Sequence, residues 1–120
     1  MKPEIEKTRF GSITLNGIQY SHDILIRPDG QVKKRKKKLS KAIYGTSHTV
    51  SLEEAQHIYK QEAPLLIIGA GKFDRVRLSE EAEDYFNSKG CEVRIFPTAK
   101  AARAWNETVG PAIGLFHVTC

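Results

Sequence analysis

Leu65-Leu66-Ile67-Ile68-Gly69-Ala70-Gly71 decides the architecture of this chain. Four consecutive branched aliphatics leave no polar side for water, so the stretch predicts a strand buried on both faces. It follows Pro64, which stops a helix that opens at Ser51. Ser51-Leu52-Glu53-Glu54 reads as a capping box, Ser51 accepting from the Glu54 N–H and Glu54 reaching back. Leu52, Ala55, Tyr59 and Glu62 or Ala63 form that helix's apolar stripe, with Ile58 beside it.

Downstream the alternation continues. Val76-Arg77-Leu78 reads as a short extended segment, and Ser79 caps a second helix whose Glu80 and Glu81 suit the N-terminal dipole. Ala82, Tyr85, Phe86 and Lys89 share one face, and Gly90 ends it. Glu92 to Phe96 is the next strand. Thr98 then caps a third helix through Val109, packed by Ala101, Ala102, Trp105 and Val109, with Asn106 off that face. Trp105 is expected in the core. Ala112 to Val118 is the last strand, where Ala112 and Gly114 allow close approach. Helix–strand alternation of this kind favours parallel strands joined by right-handed crossovers.

Upstream the pattern changes. Ile13-Thr14-Leu15 and Ile18-Gln19-Tyr20 alternate around Asn16-Gly17, the residues of a type I′ hairpin turn. His22 to Arg27 contains Ile24-Leu25-Ile26, and Pro28-Asp29-Gly30 turns the chain toward Gln31-Val32. From Lys41 to Val50 the periodicity is lost and a loop is expected. The fold class is α/β: a single domain over residues 1–120, antiparallel N-terminal strands followed by alternating helices and strands, with a mixed or partly separate sheet.

Composition sets the outer bounds. The chain has 120 residues, 40% hydrophobic and 28% charged, ordinary for a globular domain with one core. No apolar stretch approaches the roughly 18 residues of a membrane span, so no membrane partner is expected. Met1 to Glu6 lacks the apolar segment of a signal peptide, and the expected compartment is the cytoplasm. Two cysteines, Cys91 and Cys120, make no disulfide framework, and neither CxxC nor HExxH spacing occurs. Neither metal nor cofactor is therefore expected.

The formal charge of +5 is concentrated in Lys33-Lys34-Arg35-Lys36-Lys37-Lys38. Outside it, thirteen basic residues face fourteen acidic ones, a balance of −1. Six adjacent cations can neutralise phosphates, or meet another acidic partner. No aromatic residue interleaves with them, so the stacking surface of single-strand binders is missing. A charge cluster on a strand edge also prevents edge-to-edge association, and a solvated edge or loop is the favoured reading.

Candidate chemistry gathers behind the strands. Gly69-Ala70-Gly71 follows a buried strand, where glycine N–H groups can cradle an anion with Lys72 nearby. The third glycine of a dinucleotide fingerprint would fall on Asp74, and a P-loop Lys-Ser/Thr is missing, so a structural turn is favoured. Strands ending at Ile68, Phe96 and Val118 would bring Gly69, Gly71, Thr98 and His117 toward one rim. His117 and Cys120 are three apart and would face opposite sides of a strand, so a direct dyad needs a bend. His48, in a hydroxyl-rich loop, is a further anion candidate. His22 and His57 stand alone. The catalytic residues stay unknown, and the sequence leans away from an enzyme.

Several fragments, in order, resemble the MTH938-like family. They are Gly45-Thr46-x-His48, the aliphatic strand into Gly69-x-Gly71, Gly90 with Val93, Thr98-x-x-Ala101-x-x-x-Trp105-Asn106, and Phe116-His117-x-Thr119-Cys120. The family includes the adipogenesis-associated Mth938-domain protein and a mitochondrial complex I assembly factor. Members often carry Tyr at the position of Trp105, and many have a tryptophan-containing basic segment where this chain has lysines. The resemblance implies a mixed-strand α/β domain without established catalytic residues. It also favours a non-enzymatic adaptor or assembly module with a protein partner. The alternatives are a small-anion-binding protein or enzyme using the Gly69-Ala70-Gly71 rim, and nonspecific nucleic-acid binding through Lys33 to Lys38.

Overall fold

The computed structural model describes residues 2–120. Its centre is a five-stranded mixed sheet. Strand β7 (Leu65–Ala70) lies between β10 (Ile113–His117) and β9 (Glu92–Phe96), all three parallel. Beyond β10 come β4 (Ile24–Ile26), antiparallel to β10, and the edge strand β5 (Val32–Lys34), antiparallel to β4. Leu66, Ile67 and Ile68 are wholly buried, as their unbroken apolar run requires.

The crossover helices lie on opposite faces. The path from β7 to β9 passes α3 (Glu80–Ser88), and the return from β9 to β10 passes α4 (Thr98–Glu107). The second crossover runs back over β7, so right-handedness puts its helix on the other side. One core therefore joins α2 (Leu52–Ile58) and α3 to Leu25, Leu66, Ile68, Ile113 and Leu115. The other joins α4 to Ile24, Ile26, Ile67 and Phe116.

The α4 face is completed by a separate three-stranded antiparallel sheet: β1 (Ile5–Arg9), β2 (Ser12–Leu15) and β3 (Ile18–Tyr20). Strand β1 was not anticipated, because only Ile5 among its five residues is apolar. Asn16 and Gly17 have φ of 47° and 82°, as a type I′ turn demands. A two-stranded parallel sheet, β6 (Thr49–Val50) with β8 (Arg77–Leu78), closes the other flank.

Several local expectations are corrected. Helix α2 ends at Ile58 rather than Pro64, so Glu62 and Ala63 lie beyond it. Its capping box is half made. Ser51 Oγ accepts from Glu54 N–H, whereas the Ser51 N–H donates to Ser40 Oγ. Part of the expected loop is a short helix, α1 (Lys38–Tyr44), ended by Gly45 at φ 70°. Thr98 is inside α4 and Pro97 is its cap. The helix stops at Glu107, which leaves Val109 outside the stripe and 98% exposed.

Trp105 is fully buried, its Nε1–H donating to the Pro3 carbonyl at 2.9 Å. Asn106, off that packed face, accepts at Oδ1 from Ile5 N–H and donates from Nδ2 to Ile5 O, pairing α4 to the open edge of β1.

Candidate functional site

At the C-terminal ends of the parallel strands, the chain leaving β7 heads for one face and the chain leaving β9 for the other. Open α/β sheets place ligands at such a divergence, because the diverging loops leave a crevice. Here a cleft of about 550 Å³ is lined by Thr8, Arg9, Phe10, Lys72, Pro97, Thr98, Ala99 and Val118. The β1–β2 hairpin supplies Thr8, Arg9 and Phe10 as its outer wall. Arg9 and Lys72 are exposed cations, and no acidic side chain lines the space. Phe10, 61% exposed, lines its mouth, and the equally exposed Phe73 lies with its ring centroid 5.9 Å from Lys72 Nζ. A shallower depression of about 190 Å³ shares Thr8 and Ala99 with it, and continues between β1 and α4 past Glu6, Lys7 and Arg103.

The rim residues expected from the sequence do converge, but their polar groups hold one another. Thr98 Oγ1 accepts from Gly71 N–H at 2.9 Å and donates to the His117 carbonyl at 2.6 Å. The Gly71 carbonyl accepts from Thr98 N–H and Asp74 N–H. One hydroxyl thus ties together the ends of β7, β9 and β10. The Gly71 N–H is not free to cradle an anion. The glycines serve close approach instead. A Cβ on Gly69 would fall 2.7 Å from Phe116 Cδ2, and one on Gly71 would fall 2.3 Å from the Cys120 carbonyl carbon. Of the anticipated ligand-binding candidates, Lys72 and Thr98 line the cleft, and only Lys72 offers it a free charge.

The opposite face of the same strand ends carries a buried ionic cluster. Arg35 donates through Nε to Glu54 Oε2 at 2.7 Å and through Nη1 to Asp23 Oδ2 at 3.0 Å. Its Nη2 reaches Glu54 Oε1 and the Ser47 carbonyl, and Ser40 Oγ donates to Glu54 as well. Glu54 is 0% and Arg35 4% exposed. Arg35 is therefore not part of a solvated basic run. It turns inward from the edge while Lys33, Lys34, Lys36, Lys37 and Lys38 remain outside. Alternation signals this reversal only weakly in a run of like charges. The partner carboxylates lie 12 residues upstream and 19 downstream.

Asp23 links this cluster to His117. Its Oδ1 accepts from Val118 N–H at 2.9 Å, and its Oδ2 lies 2.7 Å from His117 Nδ1. Burial opposes ionisation of Asp23, but the His117 bond and charge, the Val118 N–H and Arg35 together hold it below the ordinary carboxylate range. An ionised carboxylate only accepts, so His117 carries a proton on Nδ1 and, when neutral, a lone pair on Nε2.

Beyond His117 the strand ends and the chain bends, with Thr119 O accepting from Lys72 N–H. The bend defeats the opposite-sides expectation for Cys120, whose Sγ comes within 3.5 Å of His48 Nε2. His48 meets His117 edge-on at 5.4 Å between ring centroids. Partial burial lowers the His48 pKa, and so do His117, Arg75 and Arg35, against a smaller opposite pull from Asp23. His48 thus belongs to this cluster and not to the cleft. His22 bonds its neighbour's carbonyl and His57 lies against Arg27. No helix among the described residues is long and apolar enough to cross a membrane.

A family model described as "Protein of unknown function (DUF498/DUF598)" matches residues 5–111. The fold is similar to that of conserved hypothetical protein PH1505 from Pyrococcus horikoshii OT3. That match has 31% identity over 98% of this chain and 99% of that one, with a TM-score of 0.91. It is also similar to the protein solved as MT938, with 30% identity over 99% and 100% of the two chains and a TM-score of 0.82. A Bordetella pertussis protein described as a Mth938-like domain shares the fold at 16% identity. There the match covers 97% of this chain and 85% of that one, with a TM-score of 0.70.

Proposed function

Because this chain belongs to the MTH938-like family, whose model carries the description of unknown function, its role must be read from its own geometry, and we propose a non-enzymatic binding module that takes an acidic, extended segment of a partner protein. The observation that carries this reading is the cleft at the divergence of β7 and β9. It presents Arg9 and Lys72 without an acidic residue and has Phe10 at its mouth, and the depression that adjoins it along β1 sets Lys7 and Arg103 against one carboxylate, Glu6, which accepts from the Gly17 N–H. Two cations attract carboxylates, and exposed aromatics add apolar contact at low entropic cost. The depression that adjoins the cleft through Thr8 and Ala99 favours a chain segment over a small anion. The cleft lining contains no histidine, cysteine or carboxylate to act as base or nucleophile, and Thr98 Oγ1 is engaged with Gly71 and His117.

The test is a titration of isotopically labelled chain with a peptide alternating Glu and Phe, and separately with inorganic phosphate, followed by amide NMR. Peptide-induced shifts should run from Arg9, Phe10 and Lys72 along the groove to Lys7 and Arg103, and should weaken with salt. The double variant Arg9→Glu/Lys72→Glu should lose them. Shifts confined to the cleft and equal with phosphate would favour the small-anion reading instead. Shifts centred on Lys33 to Lys38 would move the binding surface to the basic edge. In native lysate, a protein captured equally by the wild type and the double variant would argue against the cleft.

A further inference from the structure

On the face of the sheet opposite the cleft, we infer a site for one borderline-soft divalent cation, zinc foremost, held by His48, His117 and Cys120. The imidazole nitrogens and the thiol sulfur that these residues offer all lie within 4.8 Å of one another. A tetrahedral zinc with Zn–N of about 2.0–2.1 Å and Zn–S of about 2.3 Å holds two nitrogens and one sulfur roughly 3.3–3.6 Å apart. The most widely separated pair therefore needs to close by up to about 1.5 Å. His48 and Cys120 are partly exposed, so rotation of their side chains supplies that movement without disturbing the core.

The donor set is suited to such an ion. Two imidazoles and one thiolate select zinc and its neighbours over calcium or magnesium, which prefer oxygen. Three protein ligands leave a fourth position for water or a ligand.

The surroundings of His117 strengthen the assignment. Its Nδ1 is fixed at 2.7 Å from the buried Asp23 carboxylate, the carboxylate–histidine arrangement that orients a metal-binding imidazole. Nε2 is thereby presented to the cluster, where the Thr119 hydroxyl lies 3.1 Å away. Thr119 is partly exposed and can rotate aside. Arg35, the nearest buried cation, is paired with both Asp23 and Glu54. The ligands come from a loop before α2 and from both sides of a bend after β10, so no sequence spacing of a zinc motif announces them.

The experiment titrates the reduced, metal-free chain with Co²⁺ under exclusion of oxygen, then displaces it with Zn²⁺. One Co²⁺ per chain is expected, with a thiolate-to-cobalt charge-transfer band that Zn²⁺ abolishes. Cys120→Ser should remove that band, and His48→Gln should weaken affinity about tenfold or more. Circular dichroism should be unchanged in both, since both side chains are partly exposed. Cys91→Ser should keep the spectrum. A folded wild-type chain that takes up neither ion stoichiometrically at micromolar concentration would overturn the assignment. So would a band that survives Cys120→Ser, or an affinity unchanged in His48→Gln.

Discussion

On the α4 face of the central sheet, the indole of Trp105 meets the ring of Phe116 edge-on at 6.2 Å, over the bare backbone of Gly114. On the other face the rows begun by Leu25 and Leu115 end in Asp23 and His117, with Arg35 and Glu54 closing over them. The first region gains stability from apolar area removed from water and is indifferent to small changes of charge. The second sets a large desolvation cost against a large attraction, and its net contribution is small while every partner is present. What it secures is geometry: one carboxylate aims one imidazole. The same strands thus carry a packing face and a positioning face, and the chemical candidates sit at the ends of both.

The largest effects should separate these regions by their response to pH. Truncating Trp105 to Ala should cost about 3–5 kcal/mol, and that cost should be nearly constant from neutral to mildly acidic pH. Arg35→Ala should cost a similar 3–5 kcal/mol or so near neutrality, because Asp23 and Glu54 lose their counter-charge. As pH falls far enough to protonate Asp23, the cost should shrink. Urea midpoints at several pH values measure both, and equal pH dependence in the two variants would erase the distinction. The native Trp105 should also emit at short wavelength and resist acrylamide.

Overpacking tests the apolar face by addition. Gly69→Ala places a Cβ against Phe116, whose ring is itself locked beside Trp105, and should cost about 1–3 kcal/mol. No loss of stability would mean that the Phe116 ring has room to move.

Acid alone should act on the positioning face of the unaltered protein. The pKa of Asp23 is lower folded than unfolded. Its contribution is therefore fully present above the unfolded carboxylate value, and is lost as pH falls through the lower folded one. Asp23→Asn should remove that part of the acid sensitivity. An unchanged pH profile in the variant would place the sensitivity elsewhere.

The smallest effect compares the two thiols. Burial, with a minor contribution from Glu92, pushes the Cys91 thiol up to about 11. Cys91 should resist alkylation at neutral pH in the folded chain, while partly exposed Cys120 reacts. Mass spectrometry of the labelled peptides gives the answer, and faster labelling of Cys91 would contradict the packing described for it.

Local pattern alone determined much of this protein. The continuous Leu65 to Ile68 run specifies a two-sided strand, Asn16-Gly17 a tight hairpin, and Ser79 a helix start, because each depends on neighbours a few residues away. The spacing of Ala101, Ala102 and Trp105 likewise marks a buried face. Boundaries fared less well where a tertiary partner overrides the local signal. Thr98 leaves its expected capping role for Gly71 and His117, and Glu54 abandons its half of the capping box for Arg35. Strand β1, almost wholly polar, exists because β2 pairs with it and Asn106 braces its outer edge. Neither candidate site could be assembled from spacing. The cleft needs the hairpin of residues 8–10 beside Lys72 and Thr98, and the cluster needs His48 beside residues 117 and 120. Only the tertiary structure decides such meetings, because the direction of a crossover and a bend after a strand bring together residues that no local periodicity relates.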